Sequence, residues 1–201
     1  MKLSFASLTL LWTAVGIVDQ SRGVYGLVVV VKTLAAQAKI IGTNIVKIRQ
    51  SWQVQIGGLS KAELQQWIRQ QNIGMNEYAA ILFNDEKFTT SDDVQTLQAV
   101  HICLYDLGLT EGALYSDIVL TAEQAGLKLC PLELAPYLRM HYSGQPQDPY
   151  LTVASAKTRN DESYPNGFYL RHYDDRLWLR GYRSTSDWLW SSDSHFVFLL
   201  A

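Results

Sequence analysis

Between residues 168 and 182 the chain reads FYLRHYDDRLWLRGY, and its side chains alternate in character on both sides of Asp174-Asp175. A period of two is the mark of a strand that buries one face. Two strands joined by a two-residue turn are therefore expected, with Tyr173 opposite Arg176, Arg171 opposite Trp178 and Tyr169 opposite Arg180. One face then carries Tyr169, Arg171, Tyr173, Arg176, Trp178 and Arg180. The other carries Phe168, Leu170, His172, Leu177 and Leu179 and suits a core. Asp-Asp is a weaker turn than Asp-Gly, since a non-glycine residue must accept a positive φ.

Similar alternation predicts strands over 94–105, 151–156 and 195–200. Helical signals precede them. Ser60-Lys61-Ala62-Glu63 is a capping box, with Leu59 and Leu64 placed as a hydrophobic staple, so a helix is expected from Lys61 with Leu64, Trp67 and Ile68 inward. Residues 72–74 end it, and Asn76 can cap a second helix reaching about Asn84. A third helix is expected from Ser116 to Ala125, stopped by Gly126, and a fourth from Pro131 through Met140, where Pro136 would kink or restart it. The whole reads as α+β: a helical hairpin followed by a small, mostly antiparallel sheet with two further helices. Residues 143–149 and 157–166 read as connections, and 184–194 places Trp188 and Trp190 among serines and aspartates.

The N-terminal part has a different pattern. Residues 3–18 are uncharged, like the apolar region of a signal peptide or a short membrane helix. Leu27, Val31, Leu34, Ala38, Ile41, Ile45 and Ile48 recur at spacings of four and three, which predicts an apolar, basic helix. Composition breaks near Gly57-Gly58. Residues 1–57 are thus expected to be a separate segment, membrane-associated through 1–48, signal-like, or foreign to the domain, and 58–201 to form the α+β domain.

Charge sharpens that division. Residues 1–57 hold six basic groups (Lys2, Arg22, Lys32, Lys39, Lys47, Arg49) against one acid, Asp19, whereas the remaining 144 residues hold 11 basic groups against 18 acids. An acidic body argues against bulk affinity for nucleic acid. In a chain of 201 residues, two cysteines, Cys103 and Cys130, make neither a disulfide framework nor a metal motif, so a reducing, cytoplasmic setting is expected for 58–201. No phosphate loop, dinucleotide fingerprint, metal-ligand spacing or nucleophile elbow is present, and no cofactor is expected.

Several residues carry chemistry at weaker spacing. His101 and Cys103 share one face of a strand, where two partly buried side chains are a simpler reading than a catalytic pair. Glu133, Arg139 and His141 could supply an acid, an anion anchor and a base, with His172 as a further base. The two helices at 61–84 do not make a DNA-reading pair, because the second offers no basic side chain and carries Glu77.

Around CPLELAPYLRMHY (residues 130–142), with DLGLTEGALYSDI before it and NGFYLR and LWLRGY after it, the chain resembles uncharacterised bacterial proteins of unknown function. The likeness covers Leu59 to the C-terminus and implies no activity, cofactor or catalytic residue. The expected function is therefore that of a small bacterial binding or interaction module that presents the aromatic and arginine face of the hairpin to a protein partner or a planar or anionic ligand. One alternative is a small hydrolase or transferase working near Glu133, His141 and His172. Another is a single-strand nucleic-acid binder, for which residues 157–183 offer only six basic against four acidic groups.

Overall fold

The computed structural model describes residues 37–41 and 44–201. Strands β1 (Gln37–Ile41) and β2 (Asn44–Ile48) pair antiparallel as a separate ribbon, and β3 (Gln50–Ile56) follows at once. Helix α1 (Lys61–Gln70), the short strand β4 (Gly74–Met75), helix α2 (Glu77–Asn84) and the long strand β5 (Gln95–Cys103) come next. A 3-10 turn (Leu104–Leu107) and β6 (Ala113–Leu114) lead into α3 (Tyr115–Gln124), β7 (Leu127–Lys128) and α4 (Leu134–His141). The rest is strand: β8 (Leu151–Val153), β9 (Gly167–Tyr173), β10 (Arg176–Tyr182), β11 (Leu189–Trp190) and β12 (His195–Leu200).

The main sheet runs β3-β5-β12-β8-β9-β10-β4, with β7 added beside β12. Its pairs are antiparallel except β12 with β8 and β10 with β4. With four α-helices among the described residues, the fold is mixed α+β around a mostly antiparallel sheet.

Pairing decides which side chains share a face. Trp52, Ala99, Val197, Val153, Leu170 and Leu179 fall on one side and form a single core with Leu64 and Ile68 of α1, Leu82 and Phe83 of α2, and Leu134 and Leu138 of α4. Val100, Ile102, Phe196 and Phe198 fall on the other and are covered by Ile118 and Ala122 of α3, by Val46 and Ile48 of β2, and by Trp190. The registers Phe196↔Thr152 and Thr152↔Tyr169 carry this second side across to Tyr169, Arg171 and their cross-strand neighbours. The polar and aromatic face of the hairpin thus continues a surface whose other half is core.

Local chemistry accounts for the helix ends. Ser60 Oγ accepts the Glu63 amide at 3.3 Å while the Ser60 amide donates to Glu63 Oε2 at 2.8 Å, which completes the capping box. Asn76 Oδ1 accepts the Ala79 amide at 3.1 Å at the start of α2. α3 begins at Tyr115, one residue ahead of Ser116, without a side-chain cap. α4 begins at Leu134, not Pro131, so Pro136 stands in the first turn, where an amide has no intrahelical partner to lose and no kink follows.

Two expectations for the N-terminal part are corrected. The helix expected over 27–48 gives way, in its described portion, to β1 and β2, paired from Gln37↔Ile48 to Ile41↔Asn44. The isoleucines and valines of 40–48 are β-branched, Gly42 interrupts them, and Val46 and Ile48 are buried on either side of exposed Lys47, which is a period of two. Residues 27–36 of that stripe, and the apolar run at 3–18, lie outside the described residues. None of the described helices is long and apolar enough to cross a membrane.

The expected domain boundary at 57/58 falls between two elements of one sheet and core. β3 pairs with β5 over seven positions, from Gln50↔His101 to Ile56↔Gln95. Trp52, Val54 and Ile56 are at most 1% exposed and share the core of α1 and α4. Gly57-Gly58 is a tight turn: Gly57 has φ +89°, and a Cβ there would stand 2.1 Å from the Asp93 carbonyl oxygen.

Candidate functional site

The hairpin has the register read from its alternation, with Tyr173↔Arg176, Arg171↔Trp178 and Tyr169↔Arg180. Both turn aspartates take left-handed conformations, Asp174 at φ 54° and Asp175 at φ 51°. Phe168, Leu170 and Leu179 are fully buried, while Leu177 is half-buried. On the opposite face each arginine lies over a ring: Arg176 5.0 Å from Trp178, Arg180 5.4 Å from Trp178 and 5.9 Å from Tyr169, Arg171 4.7 Å from Tyr173. The far end of this ladder also satisfies itself. Trp178 lies on Gly74, where a Cβ would be 2.3 Å from the ring, and Arg176 Nε donates to the Asn72 carbonyl at 2.9 Å. The Nε atoms of Arg171 and Arg180 are buried and have no partner among the described residues.

Where β9 meets residues 184–194 there is a cleft of about 440 Å³. Tyr169 and Arg171 of the ladder line it, together with Thr152 and Tyr182 from the neighbouring strands and Arg183 just beyond β10. Tyr150 joins the same wall, edge-on to Tyr169 at 5.6 Å. Trp190 is buried, packed edge-on to Tyr182 at 5.6 Å and to Phe196 at 5.0 Å, and its Nε1 has no hydrogen-bond partner among the described residues. Trp188 and Leu189 also line the cleft and are 55% and 62% exposed. Arg171 and Arg183 form no salt bridge with the described residues, and no carboxylate side chain lines the cleft.

The walls are held by polar anchors. Gln145 accepts from Arg139 Nη1 at 2.6 Å and donates to the carbonyls of Leu170 at 3.1 Å and Pro149 at 3.2 Å, which fixes the connection ending at Tyr150. Arg139 is itself buried and donates again to the Tyr142 carbonyl; burial pushes its pKa down to about 10. Asn166 exchanges hydrogen bonds with Ser184, and Glu162 Oε1 accepts the amide and hydroxyl of Ser186, so residues 184–186 are tied to the loop before β9. Pairing of β11 with β6 fixes Trp190 opposite Ala113, and Gly112, at φ +81°, approaches so closely that a Cβ would sit 2.4 Å from the Trp190 carbonyl oxygen.

The acid and base candidates are held elsewhere. Buried Glu133 accepts from the Ser91 amide at 3.0 Å and hydroxyl at 2.5 Å. His172 donates Nδ1–H to the Gln145 carbonyl at 2.8 Å, and His141 sits half-buried in the last turn of α4, its pKa lowered by burial against the raising effect of a hydrogen bond to the Gln55 backbone. None of the three lines the cleft. His101 does not pair with Cys103: its Nε2 lies 2.6 Å from His195 Nδ1, while Cys103 Sγ donates to the Ser192 carbonyl.

Alternation along the hairpin points to Tyr169 and Arg171 but not to Tyr150, Thr152, Arg183, Trp188 or Trp190. Two tryptophans among serines were the available signal for the last pair. The remaining three are brought in by sheet order, which local alternation does not encode. No family model matches this chain, and no match was found among curated proteins or solved structures.

Proposed function

We propose that the protein is a small binding module whose ligand occupies the cleft between the arginine and aromatic ladder and residues 184–194. The observation that carries this reading is the concentration, in one concavity, of two arginines, Arg171 and Arg183, that form no salt bridge with the described residues, beside the exposed ring of Trp188. Guanidinium groups without an anionic partner in a cleft favour an external acceptor. The ladder beyond Arg171 acts as a stiff wall, since its ring faces are already occupied by guanidinium groups. Helix α2 buttresses it from the core side through Gly181 and Asn76. Two free, buried cysteines fit a reducing compartment, and we place the module in the cytoplasm.

Fluorescence provides the test, because Trp188 and Trp190 line the cleft. A small-molecule and peptide library is titrated against the protein while emission is followed. Ligands that quench should lose the effect in Trp188→Ala and keep it in Trp67→Phe, whose ring is on α1. Quenching that survives Trp188→Ala and Arg171→Ala together would place binding elsewhere.

A further inference from the structure

We infer that the cleft takes a small aromatic anion, a planar ring bearing one carboxylate or phosphate; this rests on the binding reading above and narrows it to a ligand class. The chemistry of the lining is one-sided. Its charged side chains are Arg171 and Arg183, its uncharged polar side chains are hydroxyls and the indoles of Trp188 and Trp190, and no Asp, Glu, Asn or Gln stands among the described residues that line it. A site that holds a sugar or a cation through side-chain carboxylates or carboxamides is thereby excluded. This one offers donors and calls for a ligand rich in acceptors.

Charge narrows the acceptor. Arg171 packs its guanidinium on Tyr173 at 4.7 Å and its Nε is buried, so donation to a ligand falls to its terminal nitrogens. Guanidinium groups bind carboxylate and phosphate oxygens through parallel N–H donors, which is stronger than donation to a neutral carbonyl. Asp193 does not line the cleft, and its charge, which raises the Tyr150 pKa, is opposed there by Arg171, which lowers it.

The aromatic requirement comes from the other surfaces. Tyr150 and Trp188, 41% and 55% exposed, border the space together with Tyr169 and Trp190, and about 440 Å³ lies at the small end of ligand sites, which span about 300–1,000 Å³. That room suits one ring system with a short anionic arm. It does not suit a run of stacked bases, because the ladder that would continue such a track has its ring faces covered by Arg176 and Arg180.

The experiment titrates the full chain with adenosine monophosphate and indoleacetate as aromatic anions, adenosine and indole as their uncharged counterparts, and phosphate and acetate as anions without a ring. Tryptophan emission and calorimetry report binding. At least one aromatic anion should bind saturably and more tightly than its uncharged counterpart and the ringless anions by about tenfold or more. Arg171→Gln should remove that advantage while leaving binding of the uncharged ring unchanged, and Arg176→Gln, at the far end of the ladder, should leave both unchanged. Uncharged rings binding as tightly as the anions would overturn the aromatic-anion assignment and leave the binding reading standing. Absence of a saturable response to any probe overturns the assignment as well, with the library quenching experiment then deciding the binding reading by itself. A DNA oligonucleotide bound more tightly per nucleotide than the monophosphate would replace the small anion with a strand.

Discussion

Asn76 and Gly181, 105 residues apart in the chain, form a closed hydrogen-bonded pair: Asn76 Nδ2 donates to the Gly181 carbonyl at 2.9 Å and the Gly181 amide donates to Asn76 Oδ1 at 2.8 Å. The same Oδ1 caps α2 by accepting the Ala79 amide. One side chain therefore terminates a helix and docks it on the strand that carries the ladder. Gly181 is obligatory for this approach, since a Cβ would stand 2.5 Å from the Tyr78 carbonyl carbon.

Asn76→Ala should accordingly cost more than a cap. Loss of the cap is worth about 1 kcal/mol, and leaving the Gly181 groups unpaired at a partly buried site adds about 1–3 kcal/mol. Urea unfolding should show a loss of about 2–4 kcal/mol, with Asn76→Asp in between because it keeps the acceptor. Gly181→Ala should be at least as damaging as Asn76→Ala. If Asn76→Ala costs no more than an ordinary cap, the pairing to β10 contributes nothing.

The His101 and His195 pair predicts acid sensitivity. Burial first, then the neighbouring His195 and Arg49, push His101 down to about 3 from its ordinary 6.5, with Asp106 pulling the other way. Burial and Arg49 also lower His195, against Asp106 and Asp193. A base whose folded pKa lies below its unfolded value takes up protons mainly on unfolding. Its stabilising effect is therefore complete above pH 6.5 and is lost as pH falls from 6.5 toward about 3. Stability measured by denaturant titration should decline through that window, and the double variant His101→Gln, His195→Gln should decline less steeply. An unchanged slope would mean other groups carry the acid response.

Legibility followed the range of the interactions. The capping box at Ser60, the cap at Asn76 and the hairpin register about Asp174-Asp175 are set by neighbours in sequence, so residue order alone exposes them. The strand Gln50–Ile56 was not expected, although Trp52, Val54 and Ile56 alternate with polar residues, and the spacing of apolar residues over 27–48 fits a helix and a β-branched strand alike. The cleft was visible only in part. Tyr169 and Arg171 follow from alternation, whereas Tyr150 and Arg183 reach the cleft because β8 lies beside β9 and because Gln145 and Asn166 hold the adjoining connections.

Asp174-Asp175 leaves room for improvement. Both residues sit at positive φ, where a side chain is unfavourable by roughly 1 kcal/mol and glycine is not. Asp175→Gly should stabilise the protein by about 0.5–1 kcal/mol without altering ligand binding. A thermal melt checks it, and a loss of stability would indicate that the Asp175 side chain makes a contact worth more than its backbone strain.

The two faces of the hairpin make opposite demands on mutation. Leu179 is fully buried in the core with Leu170, so Leu179→Ala should cost about 2–5 kcal/mol. Arg171 lacks an ion-pair partner among the described residues and has one ring contact, so Arg171→Ala should cost less than about 1 kcal/mol while abolishing anion binding. Parallel urea curves separate the two. Equal destabilisation would show that the ladder is a structural element first.

Deletion tests how much of the N-terminal 57 residues the described core requires. Removing residues 1–36 leaves every described strand in place. Removing 1–57 takes away β3, strips seven paired positions from β5 and deletes Trp52, Val54 and Ile56 from the core. At about 1.5–3 kcal/mol for each buried side chain, that core loss alone amounts to about 5–9 kcal/mol, comparable with the entire stability of about 5–15 kcal/mol typical of a domain. The shorter deletion should therefore keep a cooperative thermal transition by circular dichroism, and the longer one should lack it. A cooperative melt from 58–201 would show that β5 can serve as the edge of the sheet and that β3 is an accessory strand.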